Sequence, residues 1–305
     1  MKKILMAAAL VLFVTACASM QFNVPPVTEN AGETRLPGKI IWQDLLSDTP
    51  AETEAFYSAL FDWEFEPLGG GINYTLIRHQ GRLLGGMVDQ NQLPTPADIS
   101  QWVAVMSVED IDRAVATVKA REGTVFTPAT SLGDRGDIAV VADPTGAVLA
   151  LLQTRAGDPP DGQGERAETG DFLWRELWTD NVDTASQFYQ ALAPFESEAI
   201  SLGDSDTPVD YRLLRTAKRP RAGIRTTPVP EMPAMWVSYL RVTDLSEMNS
   251  LLEKVPGLGG EVLVPAVARP GGGHVAVIAG PSGAGVALQT WPVGASQQAN
   301  NEVKP

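Results

Sequence analysis

Short apolar runs of strand character alternate along the chain with single stretches of helical spacing. Ile40–Leu46 reads as a strand. Pro50–Leu60 follows with Ala51, Ala55 and Leu60 at helical intervals, and Pro50 suits a first helical turn. Gly-punctuated strands come next, around Asn73–Ile77 and Leu83–Val88. The pattern then starts over: Trp102–Val108 as strand, Ile111–Arg121 as helix, Gly136–Ala142 and Ala147–Gln153 as strands. Between the last two sits DPTG (143–146), with Pro at the second turn position and Gly at the fourth, which predicts a hairpin. Each unit is read as βαβββ, with three of its four strands placed here.

The same phrases return further along. EAFYSALFDW (54–63) is echoed by QFYQALAPF (187–195), so that Phe56 and Tyr57 recur as Phe188 and Tyr189, 132 residues on. IIWQDLLSDT (40–49) is echoed by LWRELWTDN (173–181), and WVAVMSVEDIDRAV (102–115) by WVSYLRVTDLSEM (236–248). GDIAVVADPTGAVLALLQT (136–154) is echoed by GHVAVIAGPSGAGVALQT (273–290). A period this long is a duplicated domain and no solenoid. The order βαβββ is thus expected four times, in two bodies at 39–155 and 171–292, each long enough for its own core. Polar, Pro/Gly-rich stretches flank them: a tether at 17–38, a linker at 156–170 and a tail at 293–305.

The first residues change the picture of where the protein works. MKKILMAAALVLFVTAC carries two lysines, an apolar run too short to remain as a membrane span, and small residues before Cys17. Residues 1–16 resemble a bacterial lipoprotein signal peptide, with Cys17 as the lipidated first residue of the mature chain. The next residue is Ala18 and not Asp, which resembles the pattern sorted to the outer membrane of Gram-negative envelopes. Cys17 is the single cysteine, so no intrachain disulfide can form. Cleavage removes Lys2 and Lys3 and takes the formal charge from −14 to −16. Apart from KRPRAGIR (218–225) no basic cluster is present, which argues against nucleic acid as a partner.

The helix phrase AFYSALFDW, the strand WVAVMSVED and the closing DPTGAVLALLQT resemble the glyoxalase/bleomycin-resistance/extradiol-dioxygenase superfamily, the vicinal oxygen chelate (VOC) proteins. The resemblance covers nearly the whole mature chain. It implies an α+β fold of tandem domains, each built from two βαβββ modules whose curved sheets form a cup with helices outside. It also implies that a ligand or a divalent metal lies in the cup. In metal-using members the ligands are His and Glu on the first, later and closing strands. Here those slots fall at Trp42 (or Ile41) and Trp174 (or Leu173), within WVAV (102–105) and WVSY (236–239), and at Ala150 and Ala287. None of these slots holds a His, Glu or Asp. INYTLIRHQG has no carboxylate, and its counterpart has Asp210 alone. His79 and His274 stand at non-equivalent places and are expected to be exposed loop residues without orienting partners. No metal and no other cofactor is therefore expected. The triple glycines at 69–71 and 271–273 lie between strands and read as turns, not phosphate loops.

Strand alternation predicts the lining of the cups. With Trp42 inward, Asp44 and Leu46 face inward too; in the repeat Trp174, Glu176 and Trp178 do so. An aromatic beside a carboxylate would suit a flat or cationic small molecule, which resembles the drug-sequestering branch of the family. The competing reading makes the tryptophans core residues, with Asp44 and Glu176 paired to Arg175, Arg241 or solvent. Three functions stay open: a metal-free small-molecule binder, a structural or interaction lipoprotein with degenerate cups, and a glyoxalase- or dioxygenase-like enzyme.

Overall fold

A computed structural model describes residues 23–69, 72–93, 98–162, 167–202, 209–229, 231–269 and 272–290, with only the backbone of Ser201 and Leu202. The stretch expected as a signal peptide, Cys17 and the polar tail lie outside the described residues. The first repeat comprises β1 (Ile40–Ser47), α1 (Pro50–Phe61), β2 (Glu64–Pro67), β3 (Thr75–His79) and β4 (Arg82–Asp89), then β5 (Gln101–Ser107), α2 (Ile111–Ala120), β6 (Thr124–Ser131), β7 (Gly136–Ala142) and β8 (Val148–Thr154). The second comprises β9 (Phe172–Trp178), α3 (Val182–Leu192), β10 (Glu196–Leu202), β11 (Val209–Thr216) and β12 (Arg219–Arg225), then β13 (Met235–Val242), α4 (Leu245–Lys254), β14 (Glu261–Ala268), β15 (His274–Ala279) and β16 (Gly285–Thr290). The unit βαβββ thus occurs four times, and the class is α+β.

Each repeat makes one curved eight-stranded sheet, in the order β2-β3-β4-β1-β5-β8-β7-β6 and, in the second, β10-β11-β12-β9-β13-β16-β15-β14. The two modules of a repeat meet at their first strands, β1 with β5 and β9 with β13, both antiparallel. Each cup is therefore completed within its own repeat.

The helices pack between the two sheets and knit the repeats together. One core joins Met106, Val118 and Leu149 to Phe188, Leu214 and Trp236; the other joins Phe56, Trp63 and Trp102 to Leu240, Met248 and Ile278. The duplicated Phe-Tyr pair belongs to these cores. Phe56 meets Tyr57 edge-on at 5.1 Å, as Phe188 meets Tyr189. Each tyrosine hydroxyl then accepts the indole N–H of the tryptophan that opens the second module: Trp102 to Tyr57 at 3.0 Å, Trp236 to Tyr189 at 2.9 Å. The repeated phrase places an aromatic pair whose one polar atom is satisfied inside the core.

The connecting segments are tied down. Asp158, buried in the linker stretch, accepts from Leu36 N, Ser107 Oγ and Thr154 Oγ1. Asp161 takes both terminal nitrogens of Arg221. Val24 and Val27, in the stretch expected as a tether, are buried against the first repeat. His79 corrects the expectation of an exposed loop histidine. It ends β3, is buried, and its Nδ1 lies 2.7 Å from Asp171 Oδ1. Asp171 also accepts from Arg82 and from Glu168 N, so the orienting partner sits 92 residues away across the repeat boundary.

Candidate functional site: the two cups

The sheet face turned away from the helices forms the cup. In the first repeat Trp42 and Leu46 join Val103, Val105, Ala150 and Leu152 there, while Gln43 and Leu45 face the other sheet. In the second, Trp174 and Trp178 join Val237, Tyr239, Val277 and Ala287. Asp44 lies between Gly86 and Val103, and Glu176 between Gly223 and Val237. The structure thus brings Trp42 with Asp44, and Trp174 with Glu176 and Trp178, onto one face in each repeat.

The floor of the first cup is a hydrogen-bond network. Tyr74 OH donates to Asp44 Oδ1 at 2.5 Å. Trp42 Nε1 donates to the same oxygen at 2.9 Å and to Tyr74 OH at 2.8 Å. Arg135, just before β7, donates Nη1 to Tyr74 OH at 2.7 Å and Nε to Pro25 O at 2.9 Å. Its guanidinium carbon lies 4.6 Å from the centroid of the Trp42 ring. Burial pushes the Asp44 carboxyl above its usual range, and Arg135, Tyr74 and Trp42 pull against that shift. Burial also pushes the Tyr74 phenol well up, so it remains a donor. The cationic ligand expected over Trp42 finds its place taken: the protein supplies Arg135 as its own cation.

The second cup repeats the plan. Trp174 Nε1 donates to Tyr211 OH at 3.0 Å, and Tyr211 OH to Glu176 Oε1 at 3.1 Å. Tyr239 OH donates to Oε2 at 2.5 Å, and Trp178 Nε1 approaches the same oxygen at 3.4 Å. Arg269 forms a direct ion pair with Glu176 and also donates to Gln289 Oε1. Glu176 is 0 % exposed, and a carboxylate buried this fully needs such a cationic partner. Burial pulls the Arg269 guanidinium down, but Glu176 and the two tyrosines hold it above its ordinary value. Burial and the neighbouring carboxylate push both phenols up. Glu176 therefore pairs with Arg269, and not with the Arg175 or Arg241 suggested by sequence.

The floors match residue for residue at three places: Trp42 with Trp174, Asp44 with Glu176, Tyr74 with Tyr211. A fourth is a glycine. A Cβ on Gly86 would lie 1.9 Å from Tyr74 OH, and one on Gly223 2.0 Å from Tyr211 OH. Tyr and Gly stand twelve residues apart in both YTLIRHQGRLLGG and YRLLRTAKRPRAG, a signal that could have been read from the repeat. The arginines could not. Arg135 precedes its strand glycine Gly136 by one residue and Arg269 precedes Gly273 by four.

The cups differ in cover. Trp42 is 3 % exposed beneath Arg135, with Val27 packed into the same cluster and Pro25 holding the guanidinium. Trp174 is half-buried, in a rim of Val229, Met232, Met235, Val264 and Val275 that are likewise partly open. A separate cleft of about 390 Å³ is lined by Glu33, Thr34, Arg35, Glu109, Arg155 and Gly157 and shares no residue with either cup.

A divalent metal, which the family resemblance implies, does not fit the residues of these cups. Level with Trp42 lie Val105 and Ala150, and level with Trp174 lie Tyr239 and Ala287. Each floor has one carboxylate, already hydrogen-bonded and faced by a guanidinium. Among the described residues no three His, Cys, Asp or Glu side chains converge.

Tandem βαβββ modules closed into paired cups define a class, and the chain belongs to it: the glyoxalase/extradiol-dioxygenase (VOC) superfamily. No family model matches the sequence. It is 31% identical over 198 residues to the anthracycline biosynthesis protein DauV of Streptomyces sp. strain C5, covering 57% of this chain and 70% of that protein. It is 29% identical over 247 residues to CFP32 of Mycobacterium tuberculosis, to which a glyoxylase name has been assigned, covering 78% of this chain and 89% of that one. Among solved structures, the fold is similar to the Mn(II)-bound glyoxalase of Novosphingobium aromaticivorans (TM-score 0.55, 15% identity, 83% of this chain and 82% of that one). It is also similar to the 2,3-dioxygenase LapB of Pseudomonas sp. KL28 (TM-score 0.56, 12% identity, 86% and 94%).

Proposed function

We propose that the protein is an envelope lipoprotein, anchored through Cys17 to the outer membrane, whose second cup binds a small aromatic molecule without a metal. The observation that carries this reading is the half-open Trp174, set in an apolar rim above a floor whose carboxylate is already neutralised. Such a cup rewards flat apolar area and does not require a cation. A ligand oxygen at its edge would meet Arg269. The anthracycline name of one relative, a flat fused-ring class, supports the same chemistry. The anchor rests on the Val14–Cys17 junction.

Calorimetric titration with flat phenols, quinones and polycyclic ketones tests the binder. The expected result is saturable heat for at least one compound class, lost in Trp174→Ala and kept in Trp42→Ala. A panel that gives no heat at all ends the proposal. For the anchor, Cys17→Ser is expected to leave the membrane fraction or to accumulate as uncleaved precursor. Processing and membrane attachment like the parent's would overturn it.

The closed first cup favours a second reading, in which the floors serve only the fold and the lipoprotein acts through its surface. That reading predicts unfolding at lower temperature for both Trp→Ala variants and no ligand heat.

A further inference from the structure

Between the two sheets, on the face opposite the cups, polar side chains stand where the cores are otherwise apolar. Gln43 occupies the position between Trp42 and Asp44; its counterpart between Trp174 and Glu176 is Arg175. Gln43 is 0 % exposed. Its Oε1 accepts from Ser238 Oγ of the second repeat at 3.0 Å, and its Nε2 has no partner. Ser238 is paired directly with Arg175 across β13 and β9, so their side chains share the face that looks at Gln43. Arg175 Nε is buried and also unpaired. The guanidinium rests 5.0 Å from the Phe172 ring centroid. Among the described residues no carboxylate forms an ion pair with it. Burial alone drives it down to about 10.

A half-buried guanidinium whose Nε is buried without an acceptor, facing a buried amide N–H that also lacks one, is costly at both atoms. The neighbours are small: Ala104 is paired with Gln43 and Ser238 with Arg175. One acceptor between the sheets would satisfy both donors and balance the charge.

We infer that Gln43, Ser238 and Arg175 form a site for a small inorganic monoanion of the halide class at the junction of the two repeats. The anion would accept from Gln43 Nε2 and Arg175 Nε, with Ser238 Oγ alongside. Because it bridges the two sheets, it would stabilise their association and with it the whole fold, independently of what either cup binds.

The test is the thermal midpoint of the full mature chain in sodium chloride, sodium bromide and sodium gluconate at one fixed ionic strength. Replacing gluconate stepwise by chloride or bromide is expected to raise the midpoint saturably, since a ligand stabilises by its selective binding to the folded state. Arg175→Met is expected to abolish the saturable part. Should that variant not fold, Gln43→Leu and a bromide anomalous peak against Arg175 in crystals of the unaltered protein decide the matter. Equal midpoints in all three salts would overturn the site. They would mean that a water, or a Gln43 amide turned with Oε1 toward Arg175, satisfies the donors. A bromide peak elsewhere, with none here, would do the same.

Discussion

Arg135→Met removes the cation that covers Trp42 and leaves Asp44 beneath it. The substitution keeps most of the side-chain bulk and deletes the donors to Tyr74 OH and Pro25 O. Stranding a fully buried charge costs about 3–5 kcal/mol. Asp44 is partly exposed and keeps the Tyr74 and Trp42 hydrogen bonds, so roughly 2 kcal/mol of that applies here. Loss of the Pro25 contact adds about 1 kcal/mol. A total near 3 kcal/mol lowers the thermal midpoint of a fold this size by roughly 6–12 °C. The pH dependence follows from Asp44. Burial already raises its carboxyl, and Arg135 opposes that shift, so removing Arg135 raises it further. A folded state that holds the proton more tightly than the unfolded chain is favoured below the ordinary carboxyl value of about 3.9. That advantage is lost as pH rises through the folded-state value. The deficit of Arg135→Met is therefore largest near pH 7.5 and shrinks toward pH 4.5. Urea midpoints at the two pH values measure it, and adding Asp44→Asn should recover more than half of the loss at pH 7.5. A deficit equal at both pH values and untouched by Asp44→Asn would refute the coupling between Arg135 and the cup carboxylate.

Gly86→Ala and Gly223→Ala should each destabilise by about 1–3 kcal/mol, because the new methyl would overlap the hydroxyl of Tyr74 or Tyr211. Gly257→Ala, which meets nothing within 4 Å, should stay within about 0.5 kcal/mol, and chemical unfolding of the three variants separates the cases. Asp161 is held at about 2 by its hydrogen bonds to Arg221, with Lys39 adding to the effect. Its contribution is thus present above the unfolded value of about 3.9 and lost as pH falls toward 2. Since the group is partly solvated the amount is at most about 1 kcal/mol; Asp161→Asn should flatten the acid limb of the stability profile, and an unchanged limb would count against a contribution from the Asp161–Arg221 pair.

What the sequence made legible was whatever recurs locally. The four βαβββ units, the duplication and the shared face of Trp42 with Asp44 follow from periods of two and 3.6 and from repeated phrases. Long-range contacts left no such trace. His79 reads as a loop residue in RHQGR because its partner Asp171 belongs to the next repeat. Residues 23–27 read as a polar tether, yet two isolated valines and the hydrogen bonds of Asn23, Val24 and Pro25 dock them on the first repeat. The arginines that fill the cups enter from equivalent hairpins at positions offset by three residues, so aligning the repeats conceals them.

The two floors also bear on which part of a cup is for binding. Trp42 lies on β1, Tyr74 just before β3, Gly86 on β4 and Arg135 just before β7, so the first network ties together strands from both modules of its sheet. It does so under a cup that Arg135, Pro25 and Val27 close. A network kept intact beneath so covered a ring as Trp42 serves the fold, and the matching network at Trp174 ties its own sheet together in the same way. The binding proposed for the second cup would then be decided by the residues in which the cups differ: Val229, Met232, Met235 and Val264 around the half-open Trp174, set against the Val27 and Pro25 that cover Trp42. On that proposal, substitutions in the rim are expected to change the ligand heat while leaving stability nearly unchanged, whereas substitutions in either floor should lower the stability of both cups alike, because the two sheets share the cores between them; Trp174→Ala, on floor and rim at once, should do both.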